Sequence, residues 1–528
     1  MNIFDEYFDD LMTLFPSMND YLQVPKYKKN RVRFENSIAP EYNEKIKTVA
    51  LKYKEKLKKI KKKSIYDKIL QYEIDSTLDG LEYPLELLPL DQFNNQISGY
   101  FQEANGEGMF EFKTVKDYKD FMEKNKEFAL WCCQAIINMN IGIEKKFTLP
   151  KKITEILIED IENILHEKLY YNKNVPKSLR KEWDTNMKTY VLKPTRRILE
   201  FLQNVYVKNC RKSLAFSTLP NGKKMYKYIV ETQTTNSKLS VEQIHKLGWK
   251  EVKRLSKELK KMSVEMGYSN IPLRQFLQKI KNRKDNHYKN KKELMDHYKK
   301  LRTDLWNNLL PKYFDIKIKD NFQLKEVPEA IAESMAGAYY EGGDVEGKRV
   351  GTFYLNTRDV KNMLKSGAMA LSKHEGIPGH HYQITINNTT KRSPMFMKAS
   401  SYVGYEEGWG LYAENLGEYD TLGYVGKLNS EMFRALRLII DTGIHHYGWS
   451  YEKCSKLFQK YSLLAKSEID AEFYRYVAMP GQALAYKIGE LTILQLREKF
   501  KGDIKKFHRI VLEDGSLPLD ILISKFKK

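Results

Sequence analysis

Apolar residues in this chain recur at helical rather than strand spacing over most of its length. Residues 1–80 read as helices that end in the lysine-rich run from Lys54 to Lys63. Leu57 and Ile60 keep helical spacing through that run, which predicts a solvated helix face. The same period continues from about 110 to 210, through Phe128-Ala129-Leu130-Trp131 and an apolar segment over 153–169, with no glycine-rich nucleotide loop. Ser240 followed by Gln243 reads as a capping box that opens a long helix reaching about Met266. Residues 281–300, rich in lysine with Asp285 and Glu293, predict an exposed helix or the tip of a helical hairpin. Only the stretch from Arg349 to Asn356 is short, β-branched and aromatic in the manner of a strand. The expected fold is therefore mainly α, with a small β-sheet near residue 350. There is no internal repeat and no Pro/Ser-rich hinge, so 1–528 reads as one unit, with 1–240 as an N-terminal helical lobe and 241–528 as the catalytic region.

Composition narrows the function classes. A hydrophobic content of 42% supplies a sizeable core, and no stretch approaches the roughly 18 apolar residues of a membrane span. The net charge of +22 would suit a nucleic-acid binder, but the excess is lysine and travels with many Asn, Ile and Tyr, so compositional bias is the better account. Neither a nucleic acid nor a membrane is an expected partner, and the oligomeric state is not legible. The start, Met1-Asn2-Ile3-Phe4-Asp5-Glu6, is acidic where a secretory signal is basic and then apolar, which predicts a cytoplasmic protein. Cys132, Cys133, Cys210 and Cys454 have no metal-ligand spacing and are expected as reduced, mostly buried thiols.

Five of the ten histidines lie between positions 374 and 446. The segment His374-Glu375-Gly376-Ile377-Pro378-Gly379-His380 has the ingredients of a zinc-hydrolase motif but not its spacing. In H-E-x-x-H the two histidines differ by only about 40° around a helix axis, whereas an i to i+6 pair differs by about 240°. His381, at i+7, returns to the first face but sits roughly 10 Å further along. Pro378 removes a backbone donor and clashes with the carbonyl of His374, so the helix must bulge or break there. With two residues looped out, and Gly379 free to adopt an unusual backbone angle, His380 reaches the place of the usual second ligand. Downstream, Tyr405-Glu406-Glu407-Gly408-Trp409 starts a helix with an acidic first turn, and Trp409, Leu411 and Tyr412 serve as packing residues. Glu407 is the preferred third ligand, with Glu414 or Glu406 as a carboxylate that could hold a ligand histidine from behind. For Glu406 a helix N-terminal charge is the simpler role.

These residues resemble domain-of-unknown-function family 885, a relative of the gluzincin-type metallopeptidases. The resemblance rests on Gly351-Thr352-Phe353-Tyr354-Leu355-Asn356, on the segment from His374 to Gln383, and on the segment from Glu407 to Glu414. It also takes in the blocks from Arg437 to Ser450 and from Arg475 to Gly489, and it covers nearly the whole chain. Gly376 stands where the relatives usually have alanine. The resemblance implies a two-lobed helical fold with a deep central cleft, similar to carboxypeptidase Taq, thimet-type oligopeptidases and angiotensin-converting enzyme. It implies one Zn²⁺ per chain and a short peptide or small amide as substrate, and it makes Tyr486 and His445 the candidate donors to the oxyanion.

The expected chemistry is hydrolysis by a zinc-activated water with Glu375 as general base, His374, His380 and Glu407 holding the ion. Asp441 lies one helical turn before His445 and could orient it, and His381 is placed among the residues supporting the site. Arg475 or Lys487 could bind a substrate carboxylate, which would make the enzyme an exopeptidase or dipeptidase. The strand 351–356, with Tyr354 and Asn356, could take an extended peptide by edge addition. Competing expectations are a zinc amidase or esterase acting on a non-peptide substrate, and a non-catalytic basic binding protein on the same fold.

Overall fold

The computed structural model describes residues 2–83, 90–93, 95–166, 172–319, 322–329, 332, 337–345 and 347–527. Its Cα positions divide into two compact units, 1–225 and 226–528, a division that falls inside the helix Gly222–Thr234 rather than at residue 240.

The first unit is built on helices α1 (Pro40–Lys58), α2 (Ile65–Gly80), α3 (Val115–Lys145) and α4 (Lys151–His166). Tyr53 and Leu57 anchor α1 with no exposed surface, but the helix stops at Lys58. The lysine run therefore spans a helix end, and Ile60 lies just beyond it instead of on the helix face. Reciprocal capping boxes open the next helices, Ser64 with Asp67 for α2 and Thr114 with Asp117 for α3. The apolar segment expected over 153–169 forms α4 up to His166; 167–169 lie outside the described residues. All four cysteines are free thiols, with Cys132 and Cys454 buried and Cys133 exposed.

In the second unit, Ser240 and Gln243 form the expected capping box and open α5 (Val241–Glu265). The lysine-rich 281–300 region is a turn leading into α6 (Lys291–Asp304). Three short strands follow, β1 (Gln323–Glu326), β2 (Ala338–Glu341) and β3 (Thr352–Leu355), in the order β1-β3-β2. β3 pairs in parallel with β1 and antiparallel with β2. The strand expected near residue 350 is thus the centre of its sheet, both of its edges are occupied, and it cannot take a peptide by edge addition.

Helix α7 (Lys365–Leu371) runs into a π-helical turn, Ser372–Gly376, and α8 (His380–Thr389) restarts after Pro378. Then come α9 (Val403–Glu414), α10 (Thr421–His445), α11 (Lys466–Ala478) and α12 (Gln482–Lys499). α10 is the central helix: Leu436, Leu438, Ile439, Ile440 and Ile444 are all fully buried, so it is apolar on nearly every side and packs against α5, α7 and α12. Helices α9 and α12 approach unusually closely. A Cβ on Gly408 would lie 2.4 Å from Gly489 Cα, and one on Gly489 would lie 1.9 Å from the Gly404 carbonyl oxygen. A side chain at Gly408 or Gly489 would force α9 and α12 apart, and α9 carries Glu407. Among the described residues no helix is long and apolar enough to cross a membrane.

Candidate metal centre

The break at Pro378 is larger than a two-residue loop inside one helix. The π turn ends at Gly376, the Ile377–Pro378 peptide is cis, and Gly379 caps a new helix with φ −76° and ψ −127°. Gly379 is required by space, since a Cβ there would lie 1.9 Å from the His374 carbonyl oxygen. Trp409 on α9 donates its indole N–H to the Pro378 carbonyl at 2.8 Å, tying the break to the helix that carries Glu407. His374 and His380 thus belong to two successive elements, and their rings lie nearly perpendicular with centroids 4.8 Å apart.

His374, His380 and Glu407 each bring one ligand atom to within 4.8 Å of the others. Glu407 Oε2 stands 3.4 Å from His374 Nε2 and 3.5 Å from His380 Nε2. That oxygen is buried and has no hydrogen-bond partner among the described residues. A carboxylate oxygen and two imidazole nitrogens converging without good hydrogen bonds match what a zinc ion requires, and the donor set is that of catalytic zinc sites with three protein ligands. The residues fit the metal.

The supporting contacts are specific. Glu414, two turns along α9, accepts from His374 Nδ1 at 2.9 Å, which fixes the ring and leaves Nε2 facing the ligand cluster. Between the open alternatives, Glu414 is therefore the carboxylate behind the histidine. Glu406 instead accepts from Ser401 (2.8 Å), Ser516 (2.8 Å) and the Tyr402 N–H (3.3 Å), at the start of its helix. The His374 ring lies on Gly410, where a Cβ would come within 2.8 Å of it. Glu375 is adjacent to the ligands, and burial pushes its carboxyl above the usual range, with His374 and His380 pulling the other way. Burial works against a charged His374, but Glu407 and Glu414 outweigh it and lift the imidazole to about 10. His380 is raised as well, against burial and by Glu407, while Glu407 itself is held well below the carboxylate range by the two histidines, against its own burial.

The other expected site residues fare differently. His381 turns to the sheet: its Nδ1 meets the Tyr340 hydroxyl at 2.9 Å, its ring lies on Phe322, and burial with Arg302 pushes it down to about 3. It is a neutral packing residue and supports no ligand. His445 is fully buried and bonds the Tyr476 carbonyl oxygen through Nε2 at 2.7 Å, so it cannot reach a substrate oxyanion. Asp441 accepts from the Tyr226 hydroxyl (2.5 Å) and the Gly481 N–H (3.0 and 3.1 Å), and so secures the start of α12. Burial pushes Asp441 up to about 7, against those two donors.

Lys487 is an interior residue and not a substrate contact. It has no exposed surface and bonds Glu431 and Glu490 at 2.7 Å each, with Glu251 at 3.3 Å, so no substrate can reach it. Arg475 donates to Gln482 (3.0 Å) and Tyr486 (3.4 Å) and pairs with Glu472 (3.4 Å); the structure brings Arg475 and Tyr486 together, and Tyr486 keeps partial exposure. Tyr354 stacks on its cross-strand partner Tyr339 at 4.9 Å. The Asn356 side chain links two loops, donating to the Ala332 carbonyl between β1 and β2 at 2.6 Å and accepting from the Arg358 N–H after β3 at 3.2 Å, so it is a turn residue rather than a substrate contact.

Two features escaped sequence reasoning. Lys373, next to His374, is buried with its ammonium 3.6 Å from the centre of the Tyr419 ring. Arg434 lies on α10 just ahead of the block beginning at Arg437, and its signal was a polar stripe at helical spacing, Asn429, Ser430 and Arg434.

The chain is mainly helical, and the break in it brings together His374, His380 and Glu407, three side chains that could hold a metal ion. The chain belongs to the family described as bacterial protein of unknown function DUF885, whose profile matches residues 23–525. Its fold is similar to that of a "putative lipoprotein" from Colwellia psychrerythraea, with 22% identity, 99% of this chain and 97% of that chain covered, and a TM-score of 0.87. A "putative lipoprotein of unknown function" from Shewanella oneidensis is similar at 17% identity, with 99% of both chains covered and a TM-score of 0.77. No curated protein matches the chain.

Proposed function

We propose that this protein is a zinc-dependent hydrolase of the metallopeptidase type that cleaves short peptides. The observation that carries the reading is the convergence of His374, His380 and Glu407 with an unpartnered, buried Glu407 oxygen at their centre and Glu375 beside them. Zinc, when bound, would lower the pKa of water toward about 7 and polarise the scissile carbonyl. Glu375 would accept a proton from the water that adds to the carbonyl carbon. It would then hand that proton to the amine nitrogen as the C–N bond breaks, leaving a carboxylate and a free amine. Tyr486 is the remaining candidate donor to the oxyanion, now that His445 is committed elsewhere. The two-lobed, cleft-bearing architecture of the gluzincins belongs to the same proposal.

The deciding experiment measures zinc content and cleavage of a short-peptide library, read by mass spectrometry, on the full chain. About one zinc per chain, lost on His374→Ala or Glu407→Ala, together with cleavage of internal or terminal peptide bonds, is expected. Stoichiometric zinc with no peptide turned over would sink the hydrolase reading.

The same electrostatics predict how zinc binds. With His374 lifted to about 10, the metal-free site carries a proton at neutral pH that the ion must displace. Zinc affinity should therefore climb as pH rises from 6 to 9, by about tenfold per unit for each proton released. Calorimetric titrations in buffers of different ionisation enthalpy would count those protons, and a pH-independent affinity would contradict the arrangement. The two similar structures named above are each described as a "putative lipoprotein", and a cytoplasmic placement of this chain is a separate proposal, checked by cell fractionation.

A further inference from the structure

A cavity of about 550 Å³ lies between α7 and α10, within the size range of small-molecule sites. One face of α10 lines it, with Asn429, Ser430, Phe433 and Arg434 at helical spacing. Leu371, one turn before Glu375, lines it from α7, and Tyr298 lines it from α6, the helix packed on the π turn that carries Glu375. Through Leu371 and Tyr298, the cavity is lined by the helix that leads into the turn carrying the proposed general base and by the helix packed on that turn.

Its polar groups are incompletely satisfied. Arg434 donates through Nη1 to the Ser430 hydroxyl (2.6 Å) and carbonyl (3.3 Å), but its Nε is buried without a partner and no carboxylate of the described residues pairs with it. The nearby Glu472 is already engaged by Arg437 (3.3 Å), Arg475 (3.4 Å) and the Tyr476 hydroxyl (2.6 Å). Asn429 presents a buried side-chain oxygen that no donor meets. The remaining charged groups on the wall are Lys281 and Glu468, and Glu468 accepts from the Ala465 N–H at the start of α11. A guanidinium whose Nε lacks an acceptor and an amide oxygen lacking a donor, beside Leu371 and Phe433, complement a group that carries an anion, an N–H and an apolar side chain. The C-terminal residue of a peptide has all three.

We propose that this cavity receives the C-terminal residue of a short peptide, with Arg434 binding its free α-carboxylate. The proposal rests on the hydrolase reading for its consequence, which is carboxypeptidase or dipeptidase specificity, and it moves the carboxylate-binding role from Arg475 and Lys487 to Arg434.

The test reads binding without turnover. Full-length, zinc-loaded protein carrying Glu375→Gln is titrated calorimetrically with acetyl-Ala-Ala-Phe as the free acid and as the C-terminal amide. The acid should bind roughly 10- to 100-fold more tightly. Arg434→Gln should erase that preference and Arg434→Lys should keep part of it. Asn429→Asp, nearly unchanged in shape, should weaken the acid far more than the amide by placing a like charge in the cavity, which covers the case in which Arg434→Gln does not fold. Equal affinity for acid and amide, no binding of either, or an acid preference that survives Arg434→Gln would overturn the site. In the parent protein, equal cleavage of acid and amide would remove this site and leave the hydrolase reading intact. Binding with acid preference but no cleavage by the parent would do the reverse.

Discussion

Replacing Glu375 with glutamine is expected to lower kcat on any peptide substrate by about 10²- to 10⁴-fold while zinc content stays near one per chain. The side chain keeps its size and loses only the capacity to take a proton. It is no member of the His374, His380 and Glu407 cluster, so the ligand set survives the change. Steady-state kinetics with metal analysis on the same preparation checks this, and the two readings must be taken together. A matching loss of zinc would mean that Glu375 supports the metal instead of the proton transfer, and an unaltered kcat would remove it from the chemistry.

The second large effect concerns stability. Lys487→Met should cost about 3–5 kcal/mol, because it leaves the buried Glu490 without a cation and takes one of the balancing charges from Glu431 and Glu251. Glu251, Glu431 and Glu490 have side chains only 1–6% exposed and are balanced by Lys487, Lys427 and Arg254. Lys427 bonds Glu431 at 2.7 Å, Arg254 bonds Glu251 at 2.8 Å and also pairs with Glu431, and Asn415 donates to Glu490 at 2.8 Å. Removing the lysine leaves Glu431 and Glu490 to repel each other with no water to screen them. Urea denaturation would read the loss directly. Adding Glu490→Gln to Lys487→Met should recover part of it, since one stranded charge is then neutralised. A loss under about 1 kcal/mol would show that the network is dispensable.

Much of the candidate site was legible because its signals are local. A proline and a glycine between two histidines can only mean a distorted helix, and the structure breaks it there, at Pro378 and Gly379. The capping box at Ser240 and the acidic start of the Glu407 helix were readable for the same reason: each depends on residues within one turn. The choice between Glu406 and Glu414 was not readable, since it depends on where the His374 ring points once α9 has packed against the π turn. The strand at 352–355 was recognised from its composition, yet its place between β1 and β2 is a matter of pairing with segments up to about thirty residues away, which composition does not encode.

Charged residues show the limit most sharply. Arg434, Arg475 and Lys487 look alike in the sequence, each a cation on a helix near a family block. The structure separates them completely: Lys487 is sealed among carboxylates, Arg475 is shared by Glu472, Gln482 and Tyr486, and Arg434 faces a cavity with a donor unspent.

By itself, then, the sequence determined the helical periods, the caps, the break that separates His374 from His380, and the residue types able to hold a metal. Tertiary structure decided which oxygen backs which histidine, that His445 and Lys487 are interior, and which cation faces open space. The physical reason is that helix geometry and backbone sterics act over a few residues, whereas burial and ion pairing depend on neighbours far away in the chain, as Glu251 is from Lys487.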